Sequence, residues 1–384
     1  MIIVFFHNRL SFYVFLVFCL ALLIQLCIHW IRFAKLAFYK RRYRLKSDDE
    51  LEPVSVVVCA RDSYEQLSEL IPALLSQDYP QFEIVVVNDC SEDETEEYLK
   101  DLERRETRIK PVQLRQHLNF FNGKKFPLSM GIKSASYDLM VLTDADCMPT
   151  GNQWLRSIVS GYSNDTEVVI SYCRCRDKGG LLNLLMRFEA VQTAMIYLSA
   201  ALAGKPYMGI GKNLSYRQQL FFRNKGFTSH YAMAVGDDDV FISQTADKRN
   251  TQVVIDPENT IECEPCPSFA SWVRNRCNKY ATISMLRSSA RSFAALHYWS
   301  QFLFYGCLIA LFFLKPAFTT ASGNTLVYYL TLAVFFLLRY ITQLVVYRGA
   351  CRRFGESRLL PGLILWDFVF AILTPLFRIT GRLS

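Results

Sequence analysis

The chain has 384 residues, of which 51% are hydrophobic and 14% aromatic, with 43 Lys or Arg against 35 Asp or Glu. That balance is too apolar for an ordinary soluble domain and too charged for a chain that is membrane helix throughout, and it excludes disorder, a collagen repeat and a small disulfide scaffold. The net charge of +8 does not describe a nucleic-acid-binding surface, because the basic residues flank apolar terminal segments while residues 47–286 hold more acids than bases.

From Ser11 to Ile31 the sequence has no Asp, Glu, Lys or Arg, over the ~20 residues a helix needs to cross hydrocarbon. Arg32, Lys35, Lys40, Arg41, Arg42, Arg44 and Lys46 follow it. Basic residues mark the cytoplasmic side of a span, so residues 1–46 read as an anchor and juxtamembrane segment with the amino end outside. A cleaved signal peptide would instead carry its basic cluster before the apolar run.

Residues 47–286 alternate between β-branched runs and helical stretches. Val54–Cys59, Ile84–Val87, Leu139–Thr143 and Val168–Tyr172 are the runs, with a helix expected over Gln66–Leu75. Such strands predict an α/β domain whose mostly parallel sheet is covered on both faces. Ligands of these sheets bind beyond the carboxyl ends of the strands. Those ends carry Ala60, Arg61, Asp62 and Ser63, then Asn88 to Asp93, then Asp144-Ala145-Asp146. Asp62, Ser91 and Asp93 read equally well as helix caps. Asp144 and Asp146 differ, since two carboxylates one residue apart at the end of a buried strand repel unless a cation lies nearby. Oxygen donors favour Mn2+ or Mg2+, which complete their shells with substrate phosphate, so the expected ligand is a diphosphate. Lys124 and Lys125, in the turn Asn122-Gly123-Lys124-Lys125, supply further positive charge. There is no GxxxxGK[ST] loop, which excludes P-loop chemistry.

Leu181–Ala203 is long enough to cross a bilayer, but Arg187, Glu189 and Gln192 interrupt it and assign it to the domain or the membrane surface. Asp237, Asp238 and Asp239 stand among the apolar residues Ala234, Val235, Val240 and Phe241. A carboxylate there suits a general base, while another member of the cluster caps a helix expected over Val240–Ala246. The 12 cysteines are scattered. Cys173 and Cys175 lie far from Cys263 and Cys266 and read as buried or loop thiols of a reducing compartment, not as a zinc site.

Residues 287–384 hold further apolar runs at Tyr298–Leu314, Leu326–Val346 and Leu359–Leu376. Arg348, Arg352, Arg353 and Arg358 place the loop between the last two in the cytoplasm. The final run contains Asp367 and two prolines and crosses, re-enters or lies along the interface, giving two or three helices here and three or four in all. The expectation is a multi-pass protein of the inner (plasma) membrane with a cytoplasmic domain.

Over about residues 50 to 285 the chain resembles a family 2 inverting glycosyltransferase of the GT-A fold. The resemblance lies in VSVVVCARDSYEQLSELIPALLSQDYPQFEIVVVNDCSEDET, in Gly123-Lys124 followed by SMGI, in LTDADCMP at Leu142–Pro149, in MGIGKNLSYR at Met208–Arg217 and in GDDD at Gly236–Asp239, in that order. It implies that Asp89, with Ala60, Arg61 and Asp62, meets the nucleotide, and that Lys124 approaches the nucleotide sugar. Asp144 faces the nucleotide and Asp146 holds a divalent cation. The stretch containing Asn213 borders the sugar and acceptor pocket, and Asp238, with Asp237 beside it, supplies the base. Processive members such as cellulose and hyaluronan synthases carry QxxRW on an interfacial helix. Here Asn275-Arg276-Cys277-Asn278-Lys279 follows Trp272 and lacks all three residues, although Arg276 and Lys279 remain to neutralise a departing diphosphate. The resemblance therefore implies transfer of a single sugar from a nucleotide-diphosphate donor, UDP-sugar first, to a lipid-linked or glycan acceptor. The rival readings are a catalytically silent nucleotide-sugar-binding scaffold of an envelope-assembly complex, a processive polysaccharide synthase, and a nucleotidyltransferase.

Overall fold

The computed structural model describes residues 4–6, 8–41, 43–115, 123–231, 233, 235–320 and 323–380; Arg42, Asn122 and Ala234 fall outside them. Seven strands form the main sheet: β1 Val54–Ala60, β2 Phe82–Asp89, β3 Ile109–Leu114, β4 Leu139–Asp144, β5 Val168–Ser171, β6 Leu214–Arg217 and β7 Thr251–Val254. Their order is β7-β5-β6-β4-β1-β2-β3. Every pairing is parallel except those of β6, which runs antiparallel to both β4 and β5.

The valine runs behave as period-2 strands buried on both sides. Val57 and Val85 face a core with Ile132, Leu142 and Tyr197. Val56, Val58 and Val86 face the opposite core with Leu67, Leu70 and Leu74 of the helix Tyr64–Leu75. β3 was not evident in the sequence because it is a half-exposed edge strand containing Pro111, a residue tolerated only at such an edge. β6 and β7 are four residues each, too short to show a pattern.

The helix Leu181–Leu202 is buried along most of its length and is not among the helices apolar enough to cross a membrane. The residues that interrupt its apolar run are its partners to other parts of the molecule. Arg187 Nη2 lies 2.5 Å from Glu356 Oε2 and Arg187 Nη1 lies 2.6 Å from Asp177 Oδ2. Glu189 accepts from Trp272 Nε1 (2.8 Å) and pairs with Arg276 (2.5 Å), both on the helix Phe269–Ala281.

Among the described residues four helices are long and apolar enough to cross a membrane: Arg9–Ala37, Ser288–Phe313, Leu326–Phe354 and Ser357–Phe377. Their outer faces expose Leu20, Leu23, Phe312, Phe313, Leu330 and Leu337, a contiguous apolar surface of the kind lipid covers. Inside, Asp367 pairs with Arg339 (2.7 Å) and accepts from Tyr305 (2.6 Å), Arg339 donates to Gln25 (3.2 Å), and Gln25 donates to Ser300 (2.7 Å). Each of the four helices contributes to this polar knot, which accounts for an aspartate in the last apolar run. Ionisable groups inside a membrane bundle are retained only when paired in this way.

Glu356 is fully buried, so removing its cation strands a charge. Arg187→Met is expected to cost about 3–5 kcal/mol, read as a lower thermal midpoint in detergent, with much of the loss recovered in the double variant Arg187→Met, Glu356→Met. An unchanged midpoint in the single variant contradicts the pairing.

Candidate active site

Parallel register brings three strand ends to one edge. Cys59 of β1 lies opposite Val87 of β2 and Asp144 of β4, and Ala60 lies opposite Asn88. Beyond β1 and β2 the chain reverses through left-handed residues, Asp62 at φ 47° and Cys90 at φ 54°. Such a conformation suits Asp and is strained for most side chains. The two turns are tied together: Asp62 N donates to Ser91 Oγ (2.9 Å) and Glu92 N donates to Asp62 Oδ1 (2.7 Å). Asp93 accepts from Tyr64 N (3.0 Å) and Thr95 N (3.1 Å), capping both following helices. Asp62, Ser91 and Asp93 therefore shape the loops around the half-buried Asp89. Arg61 is exposed beside them and Ala60 is buried.

Asp144 and Asp146 each have a lysine. Lys124 Nζ lies 2.6 Å from Asp144 Oδ1, and Lys212 Nζ lies 2.6 Å from Asp146 Oδ2. Burial opposes charge on Lys124, but Asp144 and Asp237 outweigh it and push the lysine's pKa up. Burial likewise opposes ionisation of Asp144, yet Lys124 and Lys212 hold its carboxyl below the ordinary range. Lys125 does something else. Buried, it donates to the carbonyls of Met233 (2.5 Å) and Val235 (2.6 Å) and so fixes the loop that leads to Gly236.

The turn Gly211–Asn213 joins the two acidic clusters. Gly211 N donates to Asp238 Oδ2 (3.0 Å), while the next residue, Lys212, holds Asp146. Asn213 is buried, its amide taken up by Trp154 Nε1 (3.0 Å) and the carbonyl of Tyr172 (2.7 Å), so its part is to anchor this turn. Asp238 accepts a second backbone bond from Asp239 N (2.8 Å) and caps the helix Asp239–Thr245. Asp237 is buried and faces Lys124 and Asp144. Burial and the neighbouring Asp238 raise its pKa to about 6. Asp239 accepts from the Thr282 hydroxyl (2.7 Å); burial and Asp238 raise its pKa to about 7.

Two cavities meet here. One is lined by Lys212, Cys173, Cys175, Cys263 and Trp272, the other by Asp239, Tyr207, Met208, Leu286, Arg291 and Tyr298; Thr193, Arg276 and Lys279 line both. Arg276 thus stands between them, paired with Glu189 and not with the aspartates of β4. Lys212 and Thr282 were not singled out from the sequence, and Glu189 only as a residue that interrupts an apolar run. For Lys212 the signal was available, since it is the charged residue inside MGIGKNLSYR. Thr282 carries none, because only the fold brings it to Asp239.

Among the described residues no group of three or more His, Cys, Asp and Glu side chains is arranged to hold a metal ion. Asp144 and Asp146 offer hard oxygen donors, and the lysines on both show that this edge needs positive charge. That donor set fits an Mg2+ or Mn2+ ion whose remaining ligands are substrate phosphate and water, and it does not fit a closed structural site.

Residues 55–233 match the family described as Glycosyl transferase family 2. The chain carries a glycosyl transferase family 2 domain. An uncharacterized glycosyltransferase of Haemophilus influenzae is 32% identical over 107 residues, covering 28% of this chain and 32% of its own. A poly-beta-1,6-N-acetyl-D-glucosamine synthase of Staphylococcus epidermidis is 29% identical over 190 residues, 47% of this chain and 45% of its own. The chain thus matches less than half the length of either relative. A mannosyltransferase of Pyrobaculum calidifontis, solved with GDP-Man and Mn2+, shares the fold with a TM-score of 0.58 over 94% of this chain and 99% of that one, at 17% identity. The glycosyltransferase domain accordingly has the GT-A arrangement, with long apolar helices at both ends of the chain. Asp237, Asp238 and Asp239 lie just beyond the matched residues.

A carboxyl whose folded pKa is about 7 holds its proton more tightly than in the unfolded chain, where the value is the usual 3.8. Folding stability therefore falls as pH rises from 4 through 7 and stays reduced above it. Asp239→Asn removes this penalty, so its thermal midpoint is expected to exceed the parent's at pH 8 and to match it at pH 4. A difference independent of pH contradicts the shifted carboxyl.

Proposed function

We propose that the protein is a membrane-bound glycosyltransferase that moves one sugar from a nucleoside diphosphate donor, UDP-sugar first, to the hydroxyl of a lipid-linked acceptor, with inversion. The observation that carries this reading is that Asp239 lines an apolar cavity reaching the helix Ser288–Phe313, while a neighbouring cavity that shares Thr193, Arg276 and Lys279 with it is lined by Lys212, the lysine on Asp146. The donor's base would meet Asp89 and the loops of Ala60, Arg61 and Asp62, with its diphosphate toward Lys124 and Lys212. The second cavity suits an acceptor carried by lipid, since Ile283, Leu286, Ala290 and Ala294 line it. Confinement to the bilayer plane raises the effective concentration of such an acceptor.

Within this reading the base is Asp239, not Asp238. Both carboxylates accept two hydrogen bonds, Asp238 from the N–H groups of Gly211 and Asp239 and Asp239 from Val240 N and the Thr282 hydroxyl, but it is Asp239 that lines the apolar cavity. A carboxyl with a pKa of about 7 is matched to proton transfer near neutral pH. Thr282 orients it. As the acceptor oxygen attacks the sugar carbon from one face, its proton passes to Asp239 and the diphosphate departs from the other face, which inverts the centre. Lys124, Lys212, Lys279 and Arg276 offset the charge that grows on the leaving diphosphate. Mn2+ or Mg2+, held by Asp146 and Asp144, would add Lewis-acid stabilisation of that same charge.

Topology follows the basic residues: Arg32 to Lys46 and Arg348 to Arg358 share the cytoplasmic side. The antiparallel pairing of Val4–Phe6 with Phe318–Thr320 holds the amino end beside the loop between the second and third apolar helices, which supports a shared location for both on the opposite side. Both support an inner (plasma) membrane protein with a cytoplasmic catalytic domain. A second reading, repeated addition by a processive synthase, is favoured by the named product of the Staphylococcus epidermidis relative.

The test incubates the purified protein with Mn2+, a panel of nucleotide sugars and a polar lipid extract. The expected products are nucleoside diphosphate and a lipid carrying one added sugar. A ladder of sugars establishes the processive reading, pyrophosphate a nucleotidyltransferase, and the absence of any nucleotide product a scaffold. Asp239→Asn is expected to lower kcat at least about 100-fold with donor KM within about twofold. An unchanged kcat overturns the base assignment.

A further inference from the structure

The small sheet beside Asp146 brings cysteines from three distant parts of the chain onto one face. Ile261–Cys263 lies between Cys147–Pro149 and Cys173–Cys175, and Cys263 is the register partner of both Cys147 and Cys175. Directly opposite residues of neighbouring strands point to the same face, and so do residues two apart on one strand. Cys147, Cys263, Cys175 and Cys173 therefore share a face. Cys175 and Cys263 are thus directly opposed on adjacent parallel strands.

Neighbouring strands run ~4.8 Å apart, inside the ~4.4–6.8 Å between Cα atoms that a disulfide requires. Cys175 and Cys263 also line a cavity of about 270 Å³ together with Lys212. Buried strand cysteines are ordinarily small apolar filler. That role accounts for Cys147, which is 1% exposed, but not for two opposed thiols facing a cavity that holds an ammonium group.

We propose that Cys175 and Cys263 form a redox-active dithiol, a site of reversible oxidation by a peroxide. The Cys263 sulfur attacks one peroxide oxygen, the O–O bond breaks, and hydroxide leaves to take up a proton as water. The sulfenic acid formed on Cys263 is then attacked by the Cys175 sulfur. The S–O bond breaks, the S–S bond forms, and a second water carries away the Cys175 proton. Two thiols are oxidised and one peroxide is reduced to two waters. The Lys212 ammonium, which lines the same cavity, favours the thiolate of Cys263 and so its role as the attacking member.

The dithiol adjoins the transfer site. Lys212 holds Asp146, and Glu264 N, next to Cys263, donates to the Asp146 carbonyl (3.1 Å). Oxidation would therefore strain the strand that positions Asp146.

The experiment treats the full-length protein in detergent with hydrogen peroxide, blocks remaining thiols with iodoacetamide under denaturing conditions, and maps the digest by mass spectrometry. The expected result is a peptide joining Cys175 to Cys263, at least about fivefold more abundant than any linkage of Cys90 or Cys266, and removed by dithiothreitol. In Cys175→Ser, Cys263 is expected to be trapped as a sulfenic acid by dimedone. Complete alkylation of Cys263 after peroxide, or its linkage to a cysteine other than Cys175, overturns the proposal. Because the readout is the mass of the linked peptide, it stands or falls apart from the transfer reaction.

Discussion

Asp144, Asp146 and Asp237 repel one another, and the structure gathers them at one edge of a sheet because Lys124 and Lys212 stand among them. A carboxylate buried without a cation gives up its charge and rises in pKa. Asp144, held by Lys124, goes the other way and stays ionised. Among the described residues Asp239 has no lysine at hydrogen-bonding distance and bonds to Thr282 and the backbone instead, and its carboxyl rises to about 7. One edge thus presents carboxylates in two states, ionised ones where a diphosphate and its cation would bind and a titrating one where an acceptor would enter.

The rest of the molecule serves that edge. The turn Gly211–Asn213 ties Asp146 to Asp238 through consecutive residues, so neither acidic cluster moves without the other. Leu181–Leu202 connects the sheet to the carboxyl-terminal apolar helices through Arg187–Glu356 and to the helix Phe269–Ala281 through Glu189. Buried pairs of this kind add little net stability over apolar substitutes; what they supply here is a fixed placement of the sheet relative to the apolar helices.

The α/β domain and the apolar spans were legible in the sequence because both rest on local pattern. Val54–Ala60 and Phe82–Asp89 announce buried parallel strands by uninterrupted β-branched residues, and Arg9–Ala37 announces a span by length and the basic cluster near its end. The residue that fixes each strand end was legible for the same reason, since Asp89 and Asp144 terminate their strands. What the sequence concealed depends on pairing across distance. Cys263 becomes a neighbour of Cys175 only when Ile261–Cys263 enters the small sheet. Lys125 looked like the twin of Lys124, yet the first turn of its helix aims it into the core and not at Asp144. That Asp239 lines a cavity is likewise a fact of tertiary geometry.

Calorimetric titration of the intact protein with a UDP-sugar, with and without Mn2+, tests most directly whether the lysine-bound aspartates form a donor site. The account predicts binding that strengthens at least about tenfold, or ~1.4 kcal/mol, when Mn2+ is added, and loss of that gain in Asp146→Asn. Donor binding of equal strength in both proteins, with or without the ion, would contradict it.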